Sequence, residues 1–247
     1  MAFSRKYEWS LGLKPNALLL FVIKKRRIRL VLTDDVFLPH PDSLLLAHSM
    51  KVNARETVCD LGTGSGILAI AAAMLGASKV FASDINRSAI DNAVENAAIN
   101  GVKSRCTFRA GSWFVPFPNR KFNIILANPP QIPGKGAESA YFRVATEAGK
   151  DGTAPTILVL KDAKMHLKKK GRVYIVLKEW MDWKKVLHEM GETYYFRKIG
   201  ETFSPVWTKD KARLKSILAL VSGGKARFYR RGKTKYWKIY AYECTLK

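Results

Sequence analysis

Val58-Cys59-Asp60-Leu61-Gly62-Thr63-Gly64-Ser65-Gly66 reads as a short buried strand that ends in a glycine-rich turn and opens directly into the apolar helix Ile67 to Leu75. A turn that brings its backbone against a ligand has no room for Cβ atoms and often needs φ > 0, which explains three glycines in five residues. The next strand, Lys79 to Ser83, runs into Asp84. A carboxylate at that place can accept hydrogen bonds from both hydroxyls of a ribose. Together these features point to a nucleoside-cofactor site in an alternating α/β chain.

Spacing decides which cofactor. A dinucleotide fingerprint is G-x-G-x-x-G, whereas this chain has Gly62-x-Gly64-x-Gly66, with Ile67 where the dinucleotide version needs a small residue. G-x-G-x-G preceded by Asp60 resembles motif I of the class I S-adenosylmethionine-dependent methyltransferases. The resemblance implies S-adenosylmethionine as cofactor and cofactor-binding roles for Asp60, Gly62, Thr63, Gly64, Gly66, Asp84 and Ile85. Gly111-Ser112-Trp113-Phe114 stands where such enzymes usually carry an acidic residue for the adenine amino group. Ser112 departs from that pattern, so a hydroxyl or a backbone amide takes the carboxylate's place, with Trp113 or Phe114 as the candidate cover for the ring.

The apolar run Phe122 to Ala127 ends directly in Asn128-Pro129-Pro130-Gln131. Consecutive prolines cannot continue a strand ladder, so the backbone is forced into a fixed turn at the strand's carboxyl end. Ligands bind at that edge in open α/β sheets. The tetrapeptide resembles the Asn-Pro-Pro-aromatic motif of methyltransferases that modify an amino or amide nitrogen conjugated to a π-system. Such a nitrogen is a poor nucleophile because its lone pair is delocalised. Its N–H groups can donate to the Asn side-chain oxygen and a proline carbonyl, so that positioning and polarisation supply most of the catalysis. The resemblance therefore implies catalytic roles for Asn128, Pro129 and Pro130, with Asn128 also beside the cofactor. Gln131 stands in the aromatic's position; it and Phe37 are read as substrate-binding, and Phe37, Trp113 or Tyr141 would have to supply stacking.

The remainder of the chain fits one large domain or a domain with an appendage. At 247 residues it is long enough for a full core. Ala17 to Ile23 and Ile28 to Leu32, separated by Lys24-Lys25-Arg26-Arg27, read as a basic hairpin, which makes residues 1–34 an N-terminal extension and 35–247 the methyltransferase domain. Asp35 to Ser43 resembles the entry segment of HemK-type glutamine methyltransferases and small-domain RNA methyltransferases, with Asp42 or Ser43 as N-cap for a helix over Leu44 to Met50. Asn86 caps a helix over Arg87 to Asn100. Thr153 and Pro155 start one to about Leu167, which Lys168 to Gly171 stops before strand Arg172 to Leu177. Strands Tyr194 to Lys198 and Trp237 to Cys244 complete a doubly wound, mostly parallel α/β sheet of seven strands, the last antiparallel. The run Gly64 to Ala72 with Asn96 and Gly101 also looks like the ribosomal-protein lysine methyltransferases, which lack the double proline.

Charge speaks to the partner. There are 43 basic and 20 acidic residues, a formal net charge of +23. A balance so one-sided points to a polyanion, nucleic acid first and an anionic membrane surface second. From Lys209 to Lys247 twelve basic residues stand against two acidic ones, a net of +10, with Phe228, Tyr229, Tyr236, Trp237, Tyr240 and Tyr242 among them. Cations beside aromatics is the composition of an RNA-binding surface, which places a basic part at 205–247. Three scattered cysteines and four scattered histidines suggest neither a disulfide framework nor a metal site. No apolar run approaches the length of a membrane span, and the reading is of a cytoplasmic protein without a membrane partner. The expected activity is N-methylation of an exocyclic amine of a base in rRNA or tRNA. The alternatives are a protein glutamine or lysine N-methyltransferase acting on a translation factor or ribosomal protein, and a non-catalytic RNA-binding module.

Overall fold

The computed structural model describes residues 18–31, 33, 36, 38–132, 148–149, 151–205, 215, 218–219, 221–224 and 227–247. Phe37 and Tyr141, named above for stacking, and Lys209, Lys211, Arg213 and Lys225 of the basic tail lie outside the described residues.

In chain order the elements are β1 (Leu18–Ile23), β2 (Arg26–Val31), α1 (Pro41–Ser49), β3 (Thr57–Leu61), α2 (Ile67–Leu75), β4 (Lys79–Asp84), α3 (Arg87–Ile99), β5 (Cys106–Ala110) and β6 (Phe122–Ala127). They continue with α4 (Ala154–His166), β7 (Leu167–Lys178), α5 (Trp183–Met190), β8 (Tyr194–Pro205), β9 (Tyr229–Arg231) and β10 (Thr234–Leu246). The main sheet has the order β5-β4-β3-β6-β7-β10-β8, with β9 added on β10. β3 to β7 pair in parallel, and β10 runs antiparallel to both its neighbours. This is the mixed α/β sheet expected, Rossmann-like in its winding. The strand order reverses between β3 and β6, whose last residues Leu61 and Ala127 are register partners. The glycine turn and the Asn-Pro-Pro turn therefore leave the same edge side by side, at the switch point where such sheets open a crevice.

One apolar cluster packs α1, α2 and the β1–β2 hairpin on one face of the sheet, around Ile70, Val80, Ile124 and Val176. A second lies on the other face around Ile125, Leu160, Ile175, Val186 and Trp180. α2 is buried nearly all round, from Ile67 to Ala73, as its composition requires.

The hairpin turns through Lys24 and Lys25, both at positive φ (45° and 67°). Its β2 strand does not join the main sheet. An asparagine ladder on α3 satisfies the outer edge of β2 instead. Arg29 N donates to Asn100 Oδ1 (2.9 Å), Asn100 Nδ2 donates back to Arg29 O (2.6 Å), Val31 N donates to Asn96 Oδ1 (2.8 Å), and Asn92 Nδ2 donates to Val31 O (2.8 Å). Asn92, Asn96 and Asn100 are spaced by four, so they stand on one helix face and imitate a neighbouring strand. Asn92 and Asn96 are buried where an apolar stripe alone would be expected.

Three boundaries differ from the expectations. α1 begins at Pro41 with His40 as its N-cap and no side-chain cap, so neither Asp42 nor Ser43 caps it. β7 begins at Leu167, so Lys168 to Gly171 is strand rather than helix stop; Phe122 pairs with Leu167 before a register shift restores pairing at Ile124 and Arg172. β10 is 13 residues long and carries β9 as a hairpin that no strand signal had marked.

Candidate active site

A cavity of about 580 Å³ opens at the switch point. Its first half is built from backbone. Gly62, Gly64 and Gly66 all have positive φ (70°, 53° and 84°), and a Cβ on Gly66 would stand 3.0 Å from that of Ala93. The turn is stapled to β4 by Gly62 N and Thr63 N, which both donate to Ser83 O. Asp84 accepts from Gly64 N and Asn86 N, each at 2.9 Å. These bonds aim the carboxylate and occupy only part of its acceptor capacity, leaving lone pairs for a ribose. Burial raises the Asp84 pKa, and its backbone donors only partly offset that. Gly62, Thr63, Gly64, Asp84, Ile85, Ser112 and Trp113 all line the cavity. Trp113 O accepts from Ser83 Oγ (2.6 Å), and the Trp113 ring lies against Gly62. A glycine cradle, an oriented carboxylate with spare acceptors and an indole beside them fit a nucleoside cofactor such as S-adenosylmethionine.

Two expected cofactor residues lie elsewhere. Gly66 serves the close packing of turn on α3 rather than the cavity wall. Asp60 is fully buried behind the turn and does not line the cavity. Its Oδ2 accepts from Thr63 Oγ1 (2.6 Å) and from Ala69 N (3.2 Å), so it ties β3 to the turn and to α2. Its Oδ1 is buried without a partner. Burial pushes its pKa up to about 7 against the pull of those two donors, with the nearby Asp84 charge adding to the rise.

The second half is built from side chains of distant elements. Asn128 Nδ2 donates to Ser43 Oγ (3.0 Å), which leaves Asn128 Oδ1 as the acceptor. Ser43 N donates to Asp42 Oδ1 (3.1 Å), and Asp42 Oδ2 faces Lys178 Nζ at 3.4 Å in a largely buried ion pair. Burial pulls the Asp42 carboxyl upward, but Lys178, His40 and the Ser43 amide outweigh it and hold it below the usual range. The chain Lys178–Asp42–Ser43–Asn128 thus fixes the amide of Asn128 from behind. Pro129, Pro130, Gln131, Ser204, Pro205 and Trp237 also line this half.

Gln131 is 1% exposed, and its side chain is turned to the backbone: Nε2 donates to Pro129 O (3.2 Å) and Val176 O (2.8 Å). Gln131 lines the cavity, as expected of a substrate-side residue, but its Nε2 is committed to those two carbonyls and its Oε1 is buried without a partner among the described residues. An amide can bridge two carbonyls across β6 and β7, and here it braces the proline turn. Trp180 Nε1 donates to Gln131 O (2.8 Å), and Trp180 packs edge-on against Trp237 at 4.4 Å. Lys178, Ser204, Pro205 and Trp237 were not singled out from the sequence as cavity residues. Only the position of Lys178, at the carboxyl end of the strand beside β6, could have flagged it.

The family model for the ribosomal protein L11 methyltransferase (PrmA) matches residues 43–129. A Methanocaldococcus jannaschii protein grouped with the protein N5-glutamine methyltransferases is 34% identical over 157 residues, covering 63% of this chain and 78% of that one. The release factor glutamine methyltransferase of Gloeobacter violaceus is 31% identical over 169 residues, 64% of this chain and 59% of that one. Among solved structures, the Thermus thermophilus 16S rRNA N2 G1207 methyltransferase, in complex with AdoMet and guanosine, superposes with a TM-score of 0.58 at 16% identity, over 90% of this chain and 49% of that one. That likeness speaks to the fold.

Proposed function

The chain belongs to the HemK-like group of class I S-adenosylmethionine-dependent methyltransferases, and we propose that it methylates the side-chain amide nitrogen of a glutamine in a protein of the translation machinery. The observation that carries this reading is Asn128. Its nitrogen is engaged by Ser43, so its oxygen is the free acceptor at the carboxyl end of β6. A primary amide presents two N–H groups, and Asn128 Oδ1 together with the second lone pair of Pro129 O can accept both. Accepting them draws electron density toward the amide nitrogen and holds its plane still. Bound S-adenosylmethionine supplies the electrophilic methyl group. Transfer would form one N–C bond as the methyl–sulfonium bond breaks, with the neutral thioether as leaving group and the displaced amide proton lost to solvent.

What supports a protein acceptor over a base is the company the chain keeps: relatives at 31–34% identity bear names of protein glutamine methyltransferases. The acceptor stated first in the sequence reading, an exocyclic amine of rRNA or tRNA, gives way here to its alternative. Among the described residues no helix is long and apolar enough to cross a membrane; the proposed translation substrate is one an enzyme would meet in the cytoplasm. The test is transfer of label from methyl-labelled cofactor to a mixture of release factors, ribosomal proteins and total RNA. Label recovered as methylglutamine after digestion of a protein band is the expected result; label confined to nucleosides overturns the reading.

A further inference from the structure

The acceptor half of the cavity carries an appendage that methyl transfer does not use. β9 and the start of β10 form a tight hairpin in which Arg231 pairs with Thr234, Arg230 with Lys235 and Tyr229 with Tyr236. Gly232, at φ 59°, and Lys233 make the turn. Arg230, Arg231, Lys233 and Lys235 are all exposed. Among the described residues no ion pair includes any of the four; the nearby carboxylates are engaged elsewhere, Glu179 by Arg227 (3.7 Å) and Glu201 by Lys198 and Lys238. Arg230 and Lys235 stand directly opposite each other, an arrangement that destabilises a hairpin through like-charge repulsion. Four exposed cations on six residues, of which Lys235 also lies 5.2 Å from the Phe228 ring centroid, make a concentrated positive surface that an anionic partner would complement.

The hairpin also has a definite place. Its Tyr236 pairs with Pro205 and the following Trp237 with Ser204, and Ser204, Pro205 and Trp237 line the cavity beside the Asn128 turn. At its base Phe203, 44% exposed, and the half-buried Tyr229 meet at 5.0 Å, with Lys238 Nζ within 5.6 Å of both rings. Cations spaced along a ribbon next to a partly exposed aromatic pair match phosphates joined to unstacked bases. The turn residues Gly232 and Lys233 offer no apolar side chain to insert into a bilayer, which disfavours an anionic lipid surface.

We infer that the β9–β10 hairpin is an RNA-docking arm at the mouth of the acceptor half, so that RNA bound to the same ribonucleoprotein as the substrate glutamine is held by Arg230, Arg231, Lys233 and Lys235 while the glutamine reaches Asn128. RNA binding is measured without methyl transfer, so its failure and that of the glutamine assignment are separate results.

The experiment is a salt series of affinities for a short labelled single-stranded oligoribonucleotide, read by fluorescence anisotropy on the full chain. Each phosphate contact on a single strand contributes about −0.7 to the log–log slope. Replacing the four cations together by Gln flattens that slope by roughly two to three units. The same number of substitutions at Lys103, Lys121, Lys169 and Lys170, which are exposed at or near the amino ends of strands β5, β6 and β7, leaves it nearly unchanged. Calorimetric binding of S-adenosylmethionine stays the same in both variants and reports on folding. A single change separates binding from stability: Lys235→Glu places a carboxylate opposite Arg230, so the melting temperature rises while RNA affinity falls roughly tenfold. Equal losses from the two quadruple variants, no loss from the first, or equal competition by polyglutamate or anionic vesicles would each overturn the inference.

Discussion

The two halves of the cavity are held in different ways. In the cofactor half, backbone amides from one turn and the residues after β4 aim a single carboxylate, Asp84, and the supporting charge, Asp60, is sealed behind the turn. In the acceptor half Lys178 of β7, Asp42 and the backbone amide and hydroxyl of Ser43 on α1 together hold the amide of Asn128, just past β6. A contiguous turn pre-sets its geometry locally, through φ values that glycine tolerates. A network drawn from distant elements depends on every member being present, and failure of one passes to the next. Substitutions in the two halves should therefore fail differently.

Lys178→Met offers the largest effect. It strands Asp42 in a largely buried position, and removing one partner of such a pair costs about 3 kcal/mol or more. Urea denaturation measures it. Pairing it with Asp42→Asn should recover much of the loss, and a double variant as unstable as the single one would show that the pair does not hold this half together. Asn128→Ala comes next: turnover falls roughly 10²-fold or more while cofactor affinity stays nearly intact. Steady-state kinetics beside calorimetry give the split, and an active variant would reduce the proline motif to a turn. Asp84→Ala should do the reverse, weakening cofactor binding by about 1.5–3 kcal/mol, the scale of hydrogen bonds to a charged group. Unchanged affinity would remove the ribose from the site.

The smallest effect concerns Asp60 and carries a pH signature. Its pKa is about 7 in the folded protein and about 3.9 in an unfolded chain. Between those values the folded state holds a proton that the unfolded state has released, so stability falls as pH rises through the window and levels off above it. Asp60→Asn removes that slope and stabilises the protein at pH 8 by roughly 1 to 2 kcal/mol, once a weaker bond from Thr63 is counted against it. Melting temperatures at pH 5 and pH 8 are the measurement. Parallel pH profiles for both proteins would place the Asp60 carboxylate in water.

The same contrast explains what could be read in advance. Gly62 to Gly66, Asp84 and Asn128 to Pro130 were legible because each motif's chemistry is local: glycines that permit positive φ, an acid just past a strand, prolines that end one. Gln131 was legible as a departure from pattern, but its job was not, since its partners Val176 and Trp180 come from β7 and the segment after it. The asparagines at 92, 96 and 100 looked like ordinary helix residues, because only the placement of β2 alongside α3 gives their amides a backbone to pair with.

By itself the sequence determined the alternation of strands and helices, the class of cofactor site and the proline turn that ends β6. Periodicity, φ preference and the missing N–H of proline act within a few residues of chain. Tertiary structure alone decided that Asp60 lies behind the turn, that Lys178 holds Asp42, and that β8 and β10 wall the acceptor side and lift a cationic hairpin beside it. Those facts depend on which strands become neighbours, and burial and charge pairing are properties of the neighbours.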